Sequence, residues 1–121
     1  MEPDDIRREG ALAEERACRH LRWRGWRIAA RNWRGGGGEL DVVASRWRTL
    51  LIVEVRRRLS GPEALASVDR EKLDRTMAAA QALVRNFDLQ GYHLRYDLIG
   101  IGQDGTLHRR CDILRMGQVG T

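Results

Sequence analysis

The sequence predicts an α/β domain in the order helix, three strands, helix, two strands, and three observations carry the prediction. An apolar stripe at helical spacing runs through residues 6–21, a second runs through 73–87, and short β-branched runs bounded by glycine-rich turns lie between and after them. The 121 residues suffice for one core and are too few for two, so residues 1–121 read as a single domain.

The first helix is expected from about Asp5 to Arg24, with a cap at Asp4 or Asp5 and a stop at Gly25. Ile6, Ala13, Ala17, Cys18 and Leu21 form its apolar stripe. Glu14 precedes Ala17, Cys18 and Leu21 by three, four and seven residues and so faces inward, whereas Glu15 aligns with Arg19 and Arg22 on the wet side. Trp26 to Trp33 reads as a strand and Gly35 to Gly38 as a flexible loop. Two further strands follow, Gly38 to Ala44 and Leu50 to Arg56. After the Ser60-Gly61-Pro62 break a second helix begins near Ser67 or Asp69. Leu73, Met77, Ala80, Leu83, Val84 and Phe87 give it one buried face, and Gly91 lies past its end. Arg95 to Ile101, a turn at Gln103-Asp104-Gly105, and Leu107 to Leu114 complete the order.

Asp41 and Glu54 sit inside apolar strands, where an ionised carboxylate needs a partner, a hydrogen bond or a metal. If Arg46-Trp47 is a two-residue hairpin loop, Val43 faces Leu50, Asp41 faces Ile52 and Glu39 faces Glu54. Asp41 and Glu54 are then diagonal neighbours on one face, roughly 7–8 Å apart. Arg56 points to the same face. Alternatively, these acids lie at strand ends and pair with Arg31, Arg34 or Arg56.

The net charge is +5 and every basic residue but Lys72 is arginine. Guanidinium groups hold phosphates and indoles stack on unpaired bases, so Arg22-Trp23-Arg24, Asn32-Trp33-Arg34 and Arg46-Trp47-Arg48 suit nucleic acid. Trp26 and Trp33 are better read as core and Trp47, at a hairpin tip, as a partner contact. The acidic N-terminus does not resemble a secretory signal and no apolar run spans a bilayer, so a cytoplasmic protein with no membrane partner is expected. Cys18 and Cys111 read as buried thiols, and His20, His93 and His108 show no ligand spacing.

Acidic residue, hairpin, acidic residue, any residue, basic residue is the pattern of the restriction-endonuclease-like nucleases, the PD-(D/E)xK group, here Asp41 and then Glu54-Val55-Arg56. The chain resembles more closely the YraN-type family of small bacterial proteins, which looks like a branch of that group related to Holliday-junction resolvases. The resemblance runs through Ala13-Glu14, Gly25-Trp26-Arg27-Ile28, Arg31-Asn32-Trp33-Arg34, Gly38-Glu39-Leu40-Asp41, Val53-Glu54-Val55-Arg56, Val68-Asp69 with Lys72, and Arg95-Tyr96-Asp97. It implies a restriction-endonuclease-like α/β fold, a central mixed β-sheet flanked by α-helices. It also implies a Mg²⁺- or Mn²⁺-dependent nuclease hydrolysing DNA, with branched or single-stranded DNA as candidate substrates.

By that resemblance Glu14, Asp41, Glu54 and the Val55 carbonyl hold the metal. From the arginine-rich, tryptophan-interleaved surface, Arg31, Arg34, Trp47, Arg57 and Arg58 are the expected nucleic-acid contacts. Glu39 is a further ligand or a supporting partner, and Asp97 reads as structural. Arg56 departs from the family's lysine: it can steady a phosphate, but it cannot act as a base at neutral pH. Lys72 is the candidate replacement, set against a solvated helix-terminal lysine. Resolvase-like relatives act as dimers, which makes a homodimer one expected arrangement. Two rival readings are a nucleic-acid-binding module without cleavage, motivated by Arg56, and a protein-interaction domain using the Trp47 hairpin.

Overall fold

The computed structural model describes residues 3–59, 62 and 69–113, apart from the side chains of Pro3 and Ile6. The Ser60-Gly61 break, Val68, the Ser67 helix start and Leu114 lie outside the described residues, as does the Ile6 side chain. The elements are α1 (Pro3–Trp23), β1 (Arg27–Gly35), β2 (Gly38–Arg46), β3 (Thr49–Arg58), α2 (Arg70–Asn86), β4 (His93–Gly102) and β5 (Leu107–Arg110). Among the described residues the strands form one sheet in the order β1-β2-β3-β4-β5. The β3–β4 pair is parallel and the other pairs are antiparallel, so the sheet is mixed. The parallel pair requires the crossover that α2 supplies.

One core lies between the sheet and α1, where Ala13, Ala17, Cys18 and Leu21 meet Val42, Leu51, Val53 and Ile99. The other lies on the α2 face, where Ala79, Ala80 and Leu83 meet Leu40, Val43, Ile52 and Tyr96. As expected, Trp26 is buried, and Trp33 packs on the α2-side core. Asp69 caps α2 by accepting from the Glu71 N–H at 3.0 Å. Phe87 departs from the expected buried face: it is the C-cap of α2 and lies exposed. Cys111 is also exposed, because β5 ends at Arg110 and the chain leaves the sheet there.

Two expected turns differ. The glycine run is a tight reversal, with Gly35 opposite Gly38 and with Gly36 and Gly37 at φ 60 and 85. A Cβ on Gly36 would meet the Ala78 carbonyl oxygen at 2.6 Å, and one on Gly38 would collide with the Arg75 carbonyl. Their missing side chains let α2 lie against the hairpin. In the second hairpin Arg46 pairs with Thr49, so the loop is Trp47-Arg48 rather than Arg46-Trp47, with Trp47 at φ 55. The shift keeps Arg46 in the strand, where its guanidinium lies 4.2 Å from the Trp26 ring centre and donates to the Arg24 carbonyl at 2.8 Å.

Candidate functional site

The hairpin shift changes the register of the acids. Val42 faces Val53 and Val43 faces Ile52, so one step beyond the end of this ladder Asp41 comes level with Glu54 rather than Ile52. The ladder stops here because β1 and β2 change face together. Leu40 and Val43, three residues apart, both reach the α2-side core, and Ala30 and Trp33 do the same. Asn32 between them takes φ 53, a conformation asparagine tolerates. β2 thus peels away from β3. Asp41 Oδ2 accepts the Val55 N–H at 2.9 Å, taking the place of the lost ladder carbonyl.

Glu54, one step past the α1-side Val53, turns to the α2 face and is buried. Lys72 Nζ, from the first turns of α2, lies 3.0 Å from Glu54 Oε1. Arg56 Nε lies 2.9 Å from the same oxygen, with both strand side chains only about a tenth exposed. These are ion pairs without hydrogen-bond direction: Glu54 Oε1 and Arg56 Nε are both buried without a hydrogen-bond partner. Thr76 Oγ1 donates to the Lys72 carbonyl at 2.9 Å, closing the helix turn that carries the ammonium. Burial pushes the Asp41 carboxyl up to about 6, against the lowering effects of the Val55 N–H and Lys72, with Glu54 and Glu14 raising it further. Asp41 and Lys72 line a cleft of about 540 Å³ with Arg34, Gly38, Glu39 and Arg75.

Glu14 lies near this group without joining it. It accepts from Asn32 Nδ2 at 3.1 Å and lies 3.6 Å from Arg31 Nη2. Among the described residues no group of three or more His, Cys, Asp and Glu side chains is gathered closely enough to hold a metal ion. Glu39 pairs with Arg34 at 3.7 Å at the cleft mouth. Of the arginines and tryptophan expected to contact nucleic acid, only Arg34 lines the cleft. Arg31 is held by Glu14 and Glu15, Arg57 by Glu9 on the α1 side at 2.9 Å, and Arg58 donates to the Arg57 carbonyl. Trp47 is exposed at the opposite end of β2, five residues or roughly 17 Å from Arg46 back to Asp41.

A profile of the uncharacterised protein family UPF0102 matches residues 13–101, which hold Glu14, Asp41, Glu54 and Lys72. The chain belongs to that family. A UPF0102 protein of Persephonella marina is 35% identical over 104 residues, 83% of this chain and 88% of the relative. One from Myxococcus xanthus is 39% identical over 101 residues, covering 82% and 80%. One from Pseudomonas entomophila is 44% identical over 79 residues, 64% of each.

In this UPF0102 chain three site features escape a linear reading. Asn32 anchors Glu14 and marks the strand kink, whereas the sequence offered it only as part of the Arg31-Asn32-Trp33-Arg34 segment. Thr76 is a buried polar residue on the helix, signalled by its i+4 spacing from Lys72. Gly36 and Gly38 set the distance between helix and hairpin, which their clustering signals only as a loop.

Proposed function

We propose that this protein is a divalent-metal-dependent phosphodiesterase acting on DNA. The observation that supports it best is the meeting of Lys72 with the two strand acids: a helix delivers to Glu54 the ammonium that the strand lacks at Arg56. The support for a cation comes from Asp41, whose charged form desolvation makes costly. Glu54 Oε1 is already met by Lys72 and Arg56, so an ion would be shared through the other Glu54 oxygen. Asp41, Glu54 and the Val55 carbonyl would hold the ion, Mg²⁺ or Mn²⁺, with water and substrate oxygens completing its shell. When bound, the ion supplies Lewis acidity and lowers the pKa of a coordinated water.

The side chains divide the remaining work. Lys72 orients the attacking water and offsets the negative charge that builds on the phosphate. Arg56 stays protonated throughout, so it balances Glu54 and steadies the phosphate but takes no proton. Arg34 and Arg75 at the cleft wall receive flanking phosphates. Glu14, held by Asn32 and Arg31, adds negative field at the Asp41 side. One observation favours the second reading, a DNA-binding module without cleavage: the Arg56 guanidinium already sits against Glu54 as a permanent cation.

Cleavage assays on single-stranded, duplex and four-way-junction DNA with Mg²⁺ and Mn²⁺ separate the two. The nuclease reading expects metal-dependent cutting that Lys72→Ala lowers by about 100-fold or more and Arg56→Lys changes little. Failure of the parent and of Arg56→Lys to cut any substrate, with DNA binding retained in EDTA and weakened by salt, leaves the binding module.

A further inference from the structure

We propose that the groove between the C-terminal half of α1 and edge strand β5 is a second nucleic-acid site, where Arg16, Arg19 and Arg24 hold a phosphate of a single strand and Trp23 stacks on its unpaired base. The groove is a shallow, open one of about 480 Å³, lined by those four residues with His20 and Leu107. Leu107 packs against the α1-side core, whereas Lys72 and Arg75 of the acidic cleft belong to α2, so the two sites occupy opposite faces of the sheet. The proposal does not depend on cleavage at the other site.

Three features carry it. Trp23 is 87% exposed, an unusual placement for an indole with no partner to cover. Arg16 and Arg19 make no ion pair among the described residues, while the neighbouring Arg22 is drawn off to Glu15 at 3.4 Å. Arg24 is fixed by donating to the His20 carbonyl at 3.1 Å, and its own carbonyl accepts from Arg46 at 2.8 Å.

His20 Nε2 is buried with no hydrogen-bond partner. Its ring is held below the usual histidine range by burial and then by Arg24, Arg109 and Arg16, so it stays neutral. The positive charge of the groove is that of Arg16, Arg19 and Arg24. Guanidinium forks match phosphate geometry, and a flat indole stacks on an unpaired base, which a duplex does not offer. Through Arg24 and Arg46 the basic track leads toward Trp47, the other tryptophan left in solvent. An acidic peptide would satisfy the charge and leave Trp23 idle, which favours a nucleic-acid strand.

The test is fluorescence anisotropy of the full chain with labelled decathymidylate in EDTA, using circular dichroism to check that the exposed substitutions leave the fold unchanged. Trp23→Ala should weaken binding roughly tenfold, and Trp23→Phe should retain most of it. The Arg16→Ala/Arg19→Ala pair should lower the slope of log affinity against log salt by about 1.4. Loss of binding in Arg34→Ala but not in these variants would confine the strand to the acidic cleft and overturn the proposal. Competition by thymidine monophosphate equal to the oligonucleotide would make the groove a mononucleotide pocket. Equal competition by polyglutamate would make it a general acidic-polymer surface, and either result defeats the single-strand assignment. A protein that cuts no DNA yet binds through Trp23 would remove the nuclease reading and leave this one standing.

Discussion

Asp41 holds the most informative single charge in the molecule. Its folded-state pKa of about 6 stands above the ordinary 3.8, so the folded chain binds that proton more tightly than the unfolded chain does. Stability contributed by the protonated form is therefore lost as pH rises from about 4 to about 6. Asp41→Asn removes this dependence and should raise stability at neutral pH by about 2–3 kcal/mol at most. Urea unfolding of parent and variant should show the gap opening across that window and staying constant above it. Mn²⁺ titrations should show the reverse cost, with parent affinity climbing through about pH 6 and Asp41→Asn weak throughout. Asp41 and Glu54 were legible because charge inside an apolar strand demands a partner. Lys72 was half legible as the sole ammonium among guanidinium groups. Its contact with Glu54 was not, since that depends on where a crossover helix begins relative to a strand distant in sequence.

At the scale of elements, the two hairpins explain what periodicity could not supply. Alternation predicted β2 and β3 but not the face change at Asn32 and Asp41, because a kink shared by two strands preserves pairing while reversing side-chain direction. The glycine run announced freedom, yet here it serves close contact. Gly36→Ala and Gly38→Ala should each destabilise by about 1–3 kcal/mol, because the new methyl group meets a helix carbonyl. Gly37 has the same left-handed backbone with nothing within 4 Å of a Cβ, so Gly37→Asn should cost less than about 1 kcal/mol. Thermal unfolding of the three variants checks the contrast. The first two should also lower any metal-dependent cleavage, since they push the Lys72 helix off Glu54.

Across the whole molecule, the far side of the sheet is tied by Asp97. Its carboxylate accepts from Arg95 at 3.0 and 3.1 Å, from Arg109 at 2.8 Å and from the Asp112 N–H at 2.9 Å. Burial alone would raise its pKa, but these bonds outweigh burial and hold it below the usual range. The structural role read from the sequence fits this clamp between β4, β5 and the residues after them. Asp97→Asn leaves two part-buried guanidinium groups without their counter-charge and should destabilise by about 3 kcal/mol. The clamp is at full strength above the ordinary carboxyl pKa and is lost as pH falls through the lowered folded value. Parent and variant melting curves should therefore converge in strong acid. Strand order and the identity of the parallel pair rest on contacts distant in sequence, so no local pattern disclosed them, and the family resemblance implied only that the sheet is mixed.

The parallel β3–β4 pair also divides the making of the cleft into two events. β1, β2 and β3 join sequence neighbours, so Asp41 and Glu54 meet through short closures. Lys72 arrives only when the chain has passed through α2 and laid β4 beside β3, with Val53 level with Asp97, and such long-range pairing is the slower step. Native-state hydrogen exchange should find α2 amides exchanging through partial openings that leave the β2–β3 ladder protected. Uniform protection of both would show that they open as one unit. In each partial opening the carboxylates keep their positions while their ammonium departs, so the chemical character of the cleft fluctuates on the timescale of a folding unit rather than of a side chain.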